Sequence, residues 1–263
     1  MCIRDSDNTD PNYYIKMGEA MEKYAIESSM AKVYCSELNG RVIDSGLQMM
    51  GGYGFIEEYT MARLYRDSRI DRIWEGTNEI NRQIITGYIM KKALMEELPI
   101  QGAIREIEQY MNNGKLETDS ETLLAESNVI ETSKRLALFL LNEGICEFGQ
   151  DLKHQQQIAD ILANIFIDIY VAESTVLRAK KILEDPTRHS SVEAVAKIFV
   201  AEMAQRMIQL AETALKGIYN GDLSTMIHEN LNSFRSRMYL PTNTIGLKRE
   251  IAAYAYSKIS YPY

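Results

Sequence analysis

The sequence reads Ile73-Trp74-Glu75-Gly76-Thr77-Asn78-Glu79-Ile80 between two helical stretches. A carboxylate, a glycine and a helix-starting threonine stand there in consecutive positions. A carboxylate flanked by apolar Ile73 and Trp74 is expected to be shielded from water, which suits a general base for a weakly acidic proton. Gly76 lets a substrate carbonyl approach the backbone, and N–H groups at the start of a helix beginning near Thr77 are free for an anion. The same residues also read as an ordinary helix entry, with acidic side chains favoured by the dipole. A second group is Gln48-Met49-Met50-Gly51-Gly52-Tyr53-Gly54-Phe55. A glutamine ending a helix beside two glycines offers an amide and open backbone donors to the polar parts of a nucleotide. Its plainer reading is a glycine C-cap. Arg63, Arg66, Arg69 and Arg72 recur at every third position. They form either an anion-facing surface or, with Asp67 and Asp71 between them, a salt-bridged face.

Rigid elements must hold these groups. Met17, Met21, Tyr24, Met30 and Leu38 recur near a helical period and predict one helix from Pro11 to about Met50. Asp7-Asn8-Thr9-Asp10-Pro11 reads as its start, and the Gly51–Gly54 run breaks it. A shorter helix is predicted over 58–72, and a third from Gly76 or Thr77 as N-cap to about Leu98. Residues 100–120 read as a short helix and a polar break at Asn112-Asn113-Gly114. Beyond it, Ile158, Leu162, Ile165, Ile169, Ala172 and Val176 form one helical stripe, stopped at Asp185-Pro186. Val192, Val195, Phe199, Met203, Met207, Leu210 and Ala214 form another. No alternating run is long enough for a sheet. The predicted fold is all-α: a helical bundle over 7–99, a linker region over 100–120 and an additional helical domain over 121–263.

Composition narrows the function classes. The 263-residue chain is 46% hydrophobic, enough to build a core. A formal net charge of −8 argues against nucleic acid, whose phosphates need a basic face. Cys2, Cys35 and Cys146 match no zinc or redox spacing, and an odd count fits no disulfide framework. A reducing, cytoplasmic compartment is the natural reading. His154, His189 and His228 lie scattered among polar neighbours, so no metal site is expected. No apolar run reaches the length of a membrane span. Met1-Cys2-Ile3-Arg4-Asp5-Ser6 lacks the apolar core of a signal peptide. It resembles a translated adapter, so residues 1–6 are set aside as non-native and the natural protein is expected to begin upstream.

The motifs in order are Gln-x-x-Gly-Gly-x-Gly-aromatic, Arg66-Asp67 and Trp74-Glu75-Gly76-Thr77. Together they closely resemble the C-terminal helical domain of acyl-CoA dehydrogenases, over residues 12–98. The resemblance implies that Glu75 is the catalytic base, taking the α-proton of an acyl-CoA while the β-hydrogen leaves as hydride to FAD, giving a trans-2-enoyl-CoA. It implies substrate contacts from Trp74 and Gly76. FAD contacts are implied from Thr77, Asn78 and Glu79, where a helix N-terminus suits a pyrophosphate. Gln48, Gly51 and Gly52 would grip the adenosine side of an FAD bound to a neighbouring subunit. The length beyond residue 100 is similar to the very-long-chain type, which implies a homodimer and electron transfer to electron-transferring flavoprotein. Membrane association through 192–214 is less expected than bundle packing, because that stretch is not basic. The family's N-terminal helical and central β-domains are not in this sequence, so this chain alone is expected to bind FAD weakly and to be inactive. Two other readings stay open: a non-catalytic assembly module of the same fold, and an acyl-CoA oxidase.

Overall fold

The computed structural model describes residues 12–95, 100–113, 121–185 and 191–258. Residues 1–6, the Asp7–Pro11 cap, Leu98-Pro99, Gly114, Pro186 and His189 lie outside them. The chain divides into two compact units, Met1–Lys92 and Ala93–Tyr263. Both are helical, and no strand occurs among the described residues, as the patterning predicts.

In the first unit, helix α1 spans Tyr13–Lys23 and α2 spans Ala25–Met50. The single helix predicted from Pro11 is thus two, parted at Tyr24. α1 buries no residue, and Met21, Tyr24 and Leu38 of the predicted stripe are exposed. The buried line on α2 is instead Ile26, Met30, Val33, Ser36 and Gly40. Gly51, at φ +58°, ends α2, its amide donating to Gln48 O. A one-turn helix, α3, follows over Gly52–Phe55. Gly54 must be glycine, because a Cβ there would lie 2.6 Å from Leu47 O. Helix α4, Thr60–Ser68, and a 3₁₀ turn, Arg69–Arg72, pack back onto α2. Arg72 crosses Gly40, where any Cβ would collide with its guanidinium. Helix α5, Asn78–Leu94, closes the unit with Asn78, Asn81, Ile85 and Ile89 buried at helical spacing.

The second unit holds α6 (Ile100–Asn113), α7 (Leu124–Phe148), α8 (Gln156–Leu183), α9 (Ser191–Ile218), α10 (Thr225–Arg237) and α11 (Thr244–Tyr256). α7, α8 and α9 pack in a triangle, with α11 against α9, α6 against α7, and α10 on both α7 and α9. The α8 stripe is buried at all six predicted positions. The α9 stripe is corrected: Val195 is exposed, and the buried line over its first turns runs through Ser191, Ala194, Ile198 and Ala201. α9 faces four helices, so a wide arc rich in alanine is buried rather than one narrow seam. No described helix is long and apolar enough to cross a membrane.

Candidate active site

Glu75 and Gly76 stand at φ +56° and +77°, two consecutive left-handed residues between the 3₁₀ turn and α5. For glutamate this conformation costs on the order of 1 kcal/mol. Side chains behind the turn hold it there. Asn81, itself buried, donates from Nδ2 to Gly76 O at 2.8 Å, Thr77 O at 3.1 Å and Glu75 O at 3.4 Å. Lys32 of α2 donates from Nζ to Gly76 O at 2.8 Å and to Asn78 Oδ1 at 2.7 Å. Thr77 Oγ1 caps α5 by accepting from Ile80 N at 3.3 Å.

The Glu75 side chain is exposed. The expected shielding by its neighbours is absent: Ile73 is 52% and Trp74 55% exposed. Ile73, Trp74 and Glu75 are thus all exposed, and no described residue of the first unit covers Glu75. Asn78, read by resemblance as a flavin contact, is 2% exposed. Its amide donates to Glu37 Oε1 at 3.1 Å and exchanges hydrogen bonds with Ser36 Oγ at 3.0 and 3.2 Å. Asn78 therefore joins α5 to α2 through its side chain.

Glu79 is exposed at the start of α5. A hydrogen bond from its own amide and one from the Thr77 hydroxyl hold its carboxyl below the usual 4.5. A carboxylate that already covers these donors opposes a pyrophosphate at this helix start. Partial burial pulls the Lys32 ammonium below its usual value, against the raising pull of the Glu79, Asp71, Glu37 and Glu75 carboxylates. Gln48, Gly51 and Gly52 are exposed at the far end of α2, and no atom lies within 4 Å of a Cβ built on either glycine. This turn leaves open backbone beside the exposed Gln48 side chain. It stands roughly 24 Å along α2 from Lys32, at about 1.5 Å per residue. The Glu75 turn and the Gln48 turn are therefore two separate places on the unit.

Arg63, Arg66 and Arg69 are exposed. The expected pairing with interleaved acids does not occur among the described residues; Asp71 accepts instead from Asn39 Nδ2 at 3.1 Å. His154 and His228 are exposed, and no described group of three or more His, Cys, Asp or Glu could hold a metal. Sequence reasoning missed Lys32, Ser36 and Asn81. Their signal was polarity at positions where the helical period of α2 and α5 calls for apolar residues.

Residues 13–90 match the family model described as "Acyl-CoA dehydrogenase, C-terminal domain", and residues 132–232 match a second model of the same description. A Bacillus subtilis protein named "Probable acyl-CoA dehydrogenase" is 35% identical over 241 residues, covering 90% of this chain and 40% of that protein. This chain belongs to the acyl-CoA dehydrogenase family. Within the family, a crystal structure of an acyl-CoA dehydrogenase complexed with FAD from Bacillus anthracis superposes with a TM-score of 0.87 at 30% identity. It covers 97% of this chain and 43% of its own. A subunit of the caffeyl-CoA reductase-Etf complex of Acetobacterium woodii is 44% identical over 66 residues, 25% of this chain and 17% of that protein. The chain thus spans about two-fifths of the length of the B. subtilis relative.

Proposed function

We propose that this acyl-CoA dehydrogenase chain supplies the base for α,β-dehydrogenation of acyl-CoA to trans-2-enoyl-CoA, the oxidative step of fatty-acid β-oxidation. The observation that carries the reading is the Glu75 carboxylate, exposed on a strained turn and locked from behind. Glu75 takes the α-proton at a carboxylate oxygen. The backbone of Gly76 and the face of Trp74 align the thioester beside it. FAD, when bound, supplies the acceptor for the β-hydrogen. Gln48, Gly51 and Gly52 would hold its adenosine side, and Thr77 with Glu79 the neutral edge of its ring. The FAD-bound B. anthracis structure supports that cofactor, and the Etf-complex relative supports electron-transferring flavoprotein as electron acceptor. The same relative favours a second reading, reduction of an enoyl-CoA, in which Glu75 delivers the proton.

The test is a chimera in which this chain replaces the matching 241 residues of the B. subtilis relative. With Glu75 intact, acyl-CoA bleaches the flavin absorbance. Glu75→Gln lowers that rate on the order of 10³-fold, the scale of a lost general base. Bleaching that survives the substitution overturns the base assignment. A chimera that binds FAD but never bleaches favours the non-catalytic module. Assay in the presence of an enoyl-CoA and reduced flavin separates the two directions.

A further inference from the structure

From the hydrogen bonds behind the turn we infer that Asn81 and Lys32 are positioning residues for the base. They set the direction of the Glu75 carboxylate by holding the carbonyls beneath it. This rests on the reading of Glu75 as the base.

Among the described residues, no backbone–backbone hydrogen bond involves Glu75 or Gly76; the ladder stops with Trp74 N on Ile70 O and resumes with Asn81 N on Thr77 O. The two left-handed residues therefore have no secondary structure to define them. Their carbonyls are taken by two side chains, one from α5 and one from α2. Asn81 meets three consecutive carbonyls with a single amide nitrogen. A Cβ at Gly76 would lie 3.1 Å from that nitrogen, so the glycine and the asparagine are fitted to each other.

Lys32 carries the second part of the argument. Four carboxylates lie within its electrostatic reach: Glu79, Asp71, Glu37 and Glu75. Yet among the described residues its hydrogen bonds go to two neutral oxygens, Gly76 O and Asn78 Oδ1. None of these four carboxylates accepts a hydrogen bond from the half-buried ammonium. Here it is held on the backbone of the turn, and Asn78, fixed by Ser36 and Glu37, holds its other donor. The direction of Glu75 is thus referred to α2, the longest helix of its unit.

The experiment begins with this chain, whose single tryptophan, Trp74, adjoins the base. Asn81→Asp keeps the side-chain shape and removes both donors; Lys32→Met keeps the stem and removes the charge. Hydrogen exchange across residues 73–81 is expected to rise about tenfold or more in each, and the fluorescence anisotropy of Trp74 to fall. Exchange in α8 and α9 stays as it was. Lys91→Met, which removes an ion pair with Glu22, changes neither signal. If Asn81→Asp loses helical signal, Lys32→Met decides. In the chimera, Lys32→Met is expected to lower kcat about tenfold while KM for acyl-CoA holds within about twofold. Unchanged exchange and anisotropy overturn the inference, as does an unchanged kcat. Glu75→Gln keeps them apart: if it spares activity, the base reading fails, while exchange in Lys32→Met still judges the clamp.

Discussion

At the scale of single residues, Glu75 combines a reactive group with an unfavourable backbone. Its φ of +56° is one that glycine adopts freely and alanine does not. The usual order of substitutions is therefore reversed here. Glu75→Gly is expected to be more stable than Glu75→Ala by about 1 kcal/mol, whereas glycine is the poorer choice at most ordered positions. Urea unfolding of the two variants, followed by circular dichroism, checks the order. Equal midpoints would mean that the turn relaxes once the glutamate is gone. The position was legible in the sequence because a carboxylate beside a glycine at a helix entrance is a local pattern. The exposure of Glu75, Ile73 and Trp74 was not, since burial depends on what lies across space.

At the scale of elements, the long helices were readable and their inner faces only partly so. The α8 stripe held at every position because it falls within the broad face that α8 buries against α7 and α9. The α9 stripe did not, because four helices pack on α9 and small side chains fill the arc between them. One polar strut ties this bundle together at the end of α9. Tyr219 Oη donates to Glu143 Oε2 of α7 at 2.5 Å. Burial, and then that carboxylate, push the Tyr219 hydroxyl well above its usual 10.0. A tyrosine whose folded value is raised contributes stability that is complete below the unfolded value. That contribution is lost as pH rises above about 10 toward the folded value. Tyr219→Phe is thus expected to cost roughly 1 kcal/mol at pH 8, and the gap to the wild type to narrow above pH 10. Denaturant titrations at the two pH values measure it; a gap that widens with pH would contradict the strut.

At the scale of the whole molecule, the first unit leaves many large apolar side chains in water. Met49, Phe55 and Trp74 are 86%, 79% and 55% exposed. Where such side chains form one patch they mark an interaction surface. The chain matches about two-fifths of the B. subtilis relative's length, and nothing among the described residues of the first unit encloses Glu75. The purified chain is accordingly expected to hold FAD weakly, at well under one equivalent after gel filtration. It is also expected to associate as its concentration rises. A stoichiometric yellow protein, read from the flavin absorbance, would refute the first expectation; a single concentration-independent sedimentation species would refute the second.

The sequence alone determined the all-α class, the glycine break after Met50 and the place of the candidate base. Each rests on neighbours in the chain: helical periodicity, a residue that tolerates positive φ, a carboxylate beside a helix start. Only the tertiary structure decided that Asn78 faces inward, that Lys32 and Asn81 hold the turn, and that Glu75 stands unshielded. Those facts depend on α2 and α5 meeting with polar groups at matching heights, 44 residues apart for Lys32 and Gly76. Local periodicity marks which positions turn inward, but the partner that each inward polar group finds is set by packing across that distance.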